Sequence, residues 1–230
     1  AVYTNNDDAY RTAITLNKVG VDVPVIVDAR VSGGGALAER AKALGIRVEN
    51  GKAISKVFGK KRVEAIRICE HKDSGKGNEK IECDCIAMSG GWSPVVHLYS
   101  HCGGKLKWDE KLALFKPDSS AKPTSHDGLP FVTAVGSANG SLLMQEVLKD
   151  AREGCLNVIE AAGGKVKKKS FKVIEQEYEN SLQAIWIAPH DADIKKRSKI
   201  WLDFQNDVKI NDVELAAREG FESVEHAKRY

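Results

Sequence analysis

This chain of 230 residues has few cysteines and few aromatic residues, and its positive and negative charges nearly balance. The five cysteines, an odd number, show no Cys-x-x-Cys spacing, which argues against a disulfide framework and a zinc site. No run approaches the roughly 20 apolar residues of a membrane helix. Lysine and arginine number 35 against 32 aspartates and glutamates, so charge gives no reason to invoke nucleic acid or an anionic membrane. These features predict a soluble, cytoplasmic protein of one or two domains.

The first half of the chain alternates strand-like and helix-like segments. Residues 1–3 resemble the end of a strand, residues 7–19 an amphipathic helix with Ala13, Leu16 and Val19 inward, and residues 23–27 a continuously apolar strand. This βαβ pattern predicts a parallel sheet. A helix at 36–44 that ends at Gly45, a strand at 46–48, and a meander formed by strands at 53–57, 63–69 and 81–88 are predicted to follow.

The second half repeats this pattern and then changes character. A strand at 131–135, a glycine-rich turn and a helix from 142 to about 159 are predicted. Beyond them, residues 171–182 are weakly helical, residues 184–187 and 199–204 are extended, and residues 211–220 form a helix with Asn211 as its N-cap and Glu214 at the capping-box position. The chain is therefore expected to end in a small, mainly helical segment.

The first strand-to-helix turn, Thr4 to Tyr10, contains no glycine. A pyrophosphate needs close backbone approach and tolerates neighbouring carboxylates poorly. Asp7 and Asp8 are therefore predicted to be the N-cap and a first-turn acid of a helix. Asp28 stands where a ribose-binding carboxylate would be, but this match is weak without the glycines.

Two later glycine-rich turns are the candidate ligand contacts. Gly90 and Gly91 follow one predicted strand, and the turn from Gly136 to Gly140 follows another. Open α/β sheets bind ligands at the carboxyl ends of their strands, and helix amino termini favour anions. The alternative is that these glycines only allow tight turns.

No catalytic constellation emerges from the sequence. His97 and His101 are four residues apart, with Cys102 beside them, but no second pair of metal ligands accompanies them. His126 and Asp127 have no serine in a nucleophile-elbow context. Neither a catalytic residue nor a metal site is predicted.

Three long runs resemble the alpha subunit of heterotetrameric sarcosine oxidases. They begin at Thr4, at Ala87 and at Asp203, and read TNNDDAYRTA, AMSGGWSPVVHLYS and DFQNDV; the second continues into GGKL and the third into AREGF and SVEH. They occur in the family's order and extend over nearly the whole chain.

The resemblance implies an internal fragment of a flavoenzyme complex that oxidises sarcosine and passes the methylene unit to tetrahydrofolate. The implied fold is an FAD/NAD(P)-binding Rossmann-like domain of the pyridine nucleotide-disulfide reductase type. Residues 1–115 would be the inserted second nucleotide-binding-like domain, 116–180 the returning part of the first, and 181–230 the start of a small helical domain. The partners would be beta, gamma and delta subunits.

The resemblance also implies a cofactor site shared with other parts of the complex. NAD would be held without covalent linkage, FAD and FMN would belong to the complex, and tetrahydrofolate would bind a domain beyond Tyr230. The cofactor-binding residues carried over are those of the two glycine-rich turns: Gly136, Ser137, Ala138, Leu142, Leu143, Gly90 and Gly91. The isolated chain would be an inactive oxidoreductase fragment. The alternative is a stand-alone nucleotide-binding or scaffold module without catalysis.

Overall fold

A three-layered α/β arrangement forms the first part of the protein. The computed structural model describes residues 1–72, 74–77, 79–166, 173, 182–189 and 200–223. Along the described chain the helices and strands are β1 (Val2–Thr4), α1 (Asp8–Lys18), β2 (Val25–Asp28), α2 (Gly35–Ala43), β3 (Arg47–Asn50), β4 (Lys52–Phe58), β5 (Ala65–Glu70), β6 (Glu79–Glu82), β7 (Ala87–Ser89), α3 (His97–His101), β8 (Leu106–Asp109), β9 (Leu114–Pro117), α4 (Met144–Ala161), β10 (Trp201–Asp203), β11 (Val208–Lys209) and α5 (Ile210–Arg218).

The central layer is a parallel sheet in the order β3-β2-β1-β7. Val2 pairs with Ile26 of β2 on one side and with Ala87 of β7 on the other. The strands that follow β1 therefore lie on both sides of it: β2 and β3 on one side, and β7 on the other. The crevice between β1 and β7 is the topological switch point of this sheet.

The residues of β2 alternate between two hydrophobic layers. Ile26 packs with Tyr10 and Ala13 of α1 on one face of the sheet. Val25 and Val27 pack on the opposite face, against the antiparallel sheet β4-β5-β6. Because both faces are covered, β2 is a continuous apolar run, as parallel strands in α/β proteins generally are.

The predicted βαβ unit and its parallel sheet are confirmed, with two local corrections. Asp7 stands at the N-cap of α1 but its side chain caps nothing; instead Asn6 Oδ1 accepts the backbone N–H of Asp8 at 3.1 Å. Val19 is 73% exposed, because it follows the last residue of the helix.

The predicted strand over 81–88 is two strands in different sheets. Glu79–Glu82 extends the antiparallel meander, whereas Ala87–Ser89 joins the parallel sheet beside β1. The predicted strand over 131–135 is wrong. Val135 has extended dihedral angles, but no strand among the described residues lies alongside to form a ladder with this segment.

The last described segment, 200–223, contains the hairpin β10-β11 followed by α5. The helix starts earlier than predicted: Asp212 Oδ2 accepts the backbone N–H of Lys209 at 2.8 Å, so Asp212 takes the role expected of Glu214. Residues 184–187 are not a strand, and most of 171–182 lies outside the described residues. None of the described helices has the length and apolar character needed to cross a membrane.

Candidate functional site

Polar side chains fill the loop that follows β1. Asn6 Nδ2 donates to Ser89 Oγ at 2.8 Å, and Asn5 Nδ2 donates to the carbonyl oxygens of Gly90 at 3.2 Å and Gln183 at 2.7 Å. Asn5 and Asn6 are both buried. These amides therefore join the carboxyl ends of β1 and β7 to the segment 182–189.

A buried ionic network occupies the place where a dinucleotide site would begin. The Arg30 guanidinium lies 2.7 Å from Asp28 Oδ2 and 2.9 Å from Asp7 Oδ1. The hydroxyl of Tyr10 donates to Asp28 Oδ2 at 2.8 Å, and the backbone N–H of Arg30 donates to Asp28 Oδ1 at 2.9 Å. All four side chains are almost completely buried, so each charge depends on the others for compensation.

The network shifts the pKa values of its members in directions that follow from burial and charge. Burial, reinforced by the Asp28 carboxylate and its hydrogen bond, raises the pKa of Tyr10 far above its usual range. Burial alone would lower the pKa of Arg30, but the hydrogen bond and charge of Asp28, with Asp7, raise it. Tyr10 therefore stays protonated and Arg30 stays charged at neutral pH.

Two glycines make room for this network. A β-carbon at Gly33 would lie 2.3 Å from Asp28 Oδ2, and one at Gly34 would lie 2.5 Å from the Tyr10 ring. The roles of Arg30 and Tyr10 were not predicted from the sequence. The only signals were an arginine two residues after the acid that ends β2 and a tyrosine in the first turn of α1.

Gly90 and Gly91 lie at the carboxyl end of β7. A β-carbon at Gly90 would meet nothing within 4 Å, whereas Gly91, with a φ of +105°, packs against Leu182. Trp92 donates its indole N–H to Asp8 Oδ2 at 2.9 Å. The next helix, α3, starts only at His97, so its amino terminus does not adjoin these glycines.

The second glycine-rich turn forms a 3₁₀ helix, Gly136–Asn139, ahead of α4. Gly136 is buried with a φ of +62°, and a β-carbon there would lie 3.1 Å from Val147. Its N–H donates to Asp150 Oδ2 at 2.6 Å, and Asn139 Nδ2 donates to the same oxygen at 3.2 Å. A carboxylate of the protein therefore already occupies the start of this turn.

The two turns line different cavities. Gly90 borders a cavity of about 210 Å³ at the sheet edge, and Asn139 and Asp150 border one of about 220 Å³ beside α4. Leu142 borders a third, of about 200 Å³, and Leu143 is the N-cap of α4. The described residues contain no group of three or more His, Cys, Asp and Glu side chains able to hold a metal ion.

The whole chain is similar in sequence to curated alpha subunits of sarcosine oxidase. It is 34% identical over 233 residues to "Sarcosine oxidase subunit alpha" of Rhizobium meliloti (strain 1021), and 30% identical over 241 residues to the same subunit of Corynebacterium sp. (strain P-1). Each match covers 100% of this chain but only 21% and 23% of those proteins. Residues 197–230 match the model of the sarcosine oxidase A3 domain.

Two solved structures are similar in fold. The thioredoxin reductase of T. acidophilum aligns with 71% of this chain and 53% of its own, with a TM-score of 0.55 and 18% identity. The L-proline dehydrogenase of P. horikoshii aligns with 99% of this chain and 43% of its own, with a TM-score of 0.50 and 16% identity. The predicted reductase-type α/β fold is confirmed.

The sequence and fold similarities together confirm the resemblance inferred from the three runs. The chain spans about a fifth of the length of the curated relatives it matches. Over its whole length, it is related to a segment of the sarcosine oxidase alpha subunits.

Proposed function

We propose that this chain is part of the alpha subunit of a flavin-dependent N-methyl amine oxidase of the sarcosine oxidase kind. In this proposal it contributes part of a non-covalent NAD pocket and contacts to beta, gamma and delta subunits of a cytoplasmic complex, and it is inactive alone. The observation that supports this best is the 34% identity to a sarcosine oxidase alpha subunit over the whole chain. FAD, FMN and tetrahydrofolate would be bound by other parts of the complex.

The predicted lack of activity rests on the chemistry available at the sheet edge. The carboxylates of Asp7 and Asp28 are buried and compensated by Arg30, so they are not free to transfer a proton to a substrate. The same network fills the first strand-to-helix turn. We therefore place the NAD contact elsewhere in the chain, and the Gly136 turn is the best candidate for it.

The Gly136 turn suits a sugar better than a phosphate. The first N–H groups of a helix have no partner within it, so those of Ser137 and Ala138 are suited to polar contacts. Asp150 Oδ2, however, lies 2.6 Å from the N–H of Gly136, and a carboxylate repels a pyrophosphate but accepts hydrogen bonds from ribose hydroxyls. In the proposed pocket, the N–H groups of Ser137 and Ala138 and the carboxylate of Asp150 hold a ribose, and Gly136 gives the turn its shape. When bound, NAD would supply redox chemistry.

Replacing Ser137 with tryptophan should weaken NAD binding by the full chain at least tenfold. Ser137 is exposed on the 3₁₀ helix, so a bulky side chain there covers the turn without entering the core. We expect the unmodified chain to bind NAD saturably but weakly, since it holds only part of the pocket. Isothermal titration calorimetry measures both affinities.

Ser100→Trp is the matched control, because Ser100 is exposed on α3 and lines none of the cavities described above. Its NAD affinity should equal that of the unmodified chain. Equal binding by the Ser137→Trp chain would contradict the assignment of the turn. Turnover of sarcosine by the chain alone, with FAD, FMN and NAD supplied, would contradict its proposed inactivity.

The proposed subunit contacts rest on exposed aromatic side chains. Trp186 is 75% exposed and lies 5.7 Å, between ring centroids, from Trp108 of β8; Phe115, 55% exposed, lies 5.1 Å from Trp108. Phe204 is 80% exposed and stacks on Trp201. Exposed aromatic clusters of this kind are typical of protein interfaces. For the same reason, a scaffold role without catalysis is the second candidate function.

A further inference from the structure

The antiparallel sheet β4-β5-β6 carries three cations side by side on one face. Lys56 of β4 lies directly opposite Arg67 of β5, and Arg67 lies directly opposite Lys80 of β6. Ile66 and Ile68, the neighbours of Arg67 in β5, pack in the hydrophobic layer against the parallel sheet. Because successive side chains of a strand point to opposite faces, the three cations, here called the cationic row, point away from this layer.

The cationic row is gathered around one aromatic ring. The ammonium groups of Lys56 and Lys80 each lie 5.2 Å from the centroid of the Phe58 ring. The guanidinium carbon of Arg67 lies 5.4 Å from the same centroid. An aromatic face attracts a cation at this distance, so the ring holds the three positive charges over one small area of the sheet.

The two lysines of the row lack a carboxylate partner in the part of the chain that the structure describes. Glu70 of β5 and Glu79 of β6 are paired with cations outside the row, and no ion pair between described residues includes Lys56 or Lys80. Like charges directly opposite each other on neighbouring strands are unfavourable. A carboxylate supplied from outside would relieve this repulsion.

The positive surface is short, because carboxylates border it. The turn 59–62, between β4 and β5, adds two exposed lysines and one exposed arginine. That arginine lines a cavity together with Glu64, Glu82 and Asp84. A nucleic-acid strand or an anionic membrane presents a long array of negative charges, which would extend from the row onto these carboxylates. The surface therefore favours a short anionic segment.

The spacing of the row fits an extended peptide. Neighbouring strands lie about 4.8 Å apart, so the two ends of the row are separated by about 10 Å. Alternate side chains of an extended chain point the same way and lie about 6–7 Å apart. Two or three alternate carboxylates of such a chain can therefore reach the row together.

We propose that the cationic row binds an extended segment of another protein chain in which aspartate or glutamate occupies alternate positions. The carboxylates of that segment accept charge-assisted hydrogen bonds from Lys56 and Lys80, while Phe58 keeps the cations in place. The proposal does not rest on the NAD pocket, because the row shares no residue with the Gly136 turn. Loss of either one would leave the other unaffected.

An acetylated and amidated heptapeptide, Glu-Ser-Glu-Ser-Glu-Ser-Glu, is the probe, and the same peptide with glutamine in place of glutamate is its uncharged control. Each is titrated into the full chain at low ionic strength, and isothermal titration calorimetry measures the dissociation constant. We expect saturable binding of the glutamate peptide in the millimolar range or tighter, and none of the glutamine peptide. Raising the ionic strength to about 0.15 M should weaken the binding, since salt screens exposed charges.

Lys56→Gln combined with Lys80→Gln should weaken binding of the glutamate peptide about fivefold or more, because two charge pairs are lost. The change removes like charges from one face, so it should not lower the stability of the fold; far-UV circular dichroism checks this. Lys18→Gln combined with Lys149→Gln is the matched control. Both of these lysines are exposed on helices, so the control removes the same charge from the chain and should leave the affinity unchanged.

Three results would overturn the proposal. The first is the absence of saturable binding of the glutamate peptide by the folded chain. The second is an equal affinity in the row variant and the matched control, because the peptide would then respond only to net charge or bind elsewhere. The third is tighter binding of an oligothymidylate of equal charge, which would make the row a site for nucleic acid and not for an acidic protein segment.

Discussion

Replacing Arg30 with alanine should lower the free energy of unfolding by about 3–5 kcal/mol. The change leaves the carboxylates of Asp28 and Asp7, which are 0% and 1% exposed, without their counter-charge, and an uncompensated buried charge costs roughly this much. Urea-induced unfolding followed by far-UV circular dichroism measures the loss.

Arg47 is the matched control because it is also paired with two carboxylates, those of Glu49 and Glu79, but lies on the surface with its side chain 43% exposed. Arg47→Ala should cost at most about 1 kcal/mol, since water screens such pairs. Adding Asp28→Asn to the Arg30→Ala chain should recover part of the loss, because it removes one of the uncompensated charges. Losses of similar size for Arg30→Ala and Arg47→Ala would show that water reaches the network.

This network also shows where sequence reasoning reached its limit. The β2 strand was predictable because Val25, Ile26 and Val27 form a continuous apolar run that only a strand covered on both faces would carry. Arg30 gave no comparable signal, since an arginine beyond a strand end is usually solvated. Its burial depends on Asp7, 23 residues earlier, and on a contact that local patterns do not encode.

The candidate ligand-binding turns show the same limit at the level of tertiary structure. The glycines around Gly90 and Gly136 correctly predicted turns after extended segments, because only glycine adopts the φ of +105° at Gly91 and of +62° at Gly136 without strain. Spacing could not indicate that Asp150 would bond to the second turn or that the two turns would line separate cavities. These facts depend on how α4 packs.

The strand wrongly predicted over 131–135 has a different cause. An apolar run with β-branched residues fits a strand, and Val135 is indeed extended. A strand, however, exists only where a neighbour supplies hydrogen bonds, and the described part of the chain places none beside this segment. Local preference alone predicted the backbone conformation but could not predict the pairing.

Replacing Gly34 with alanine should destabilise the protein more than the same change at Gly45. Both glycines have a φ of +81°, so an alanine at either position carries a similar backbone cost of about 1–2 kcal/mol. At Gly45 the new β-carbon meets nothing within 4 Å, but at Gly34 it would lie 2.5–2.9 Å from three atoms of the Tyr10 ring. Overpacking should add about 1–3 kcal/mol at Gly34.

The Tyr10 ring cannot move aside cheaply, because it is fully buried and its hydroxyl is bonded to Asp28. A shift of the ring would break that bond and disturb the carboxylate that pairs with Arg30. Urea unfolding of the two alanine variants in parallel isolates the steric part, since their backbone costs cancel in the difference. Equal losses would mean that the ring has room to relax, and the network would then be less tightly packed than the contacts of Gly34 indicate.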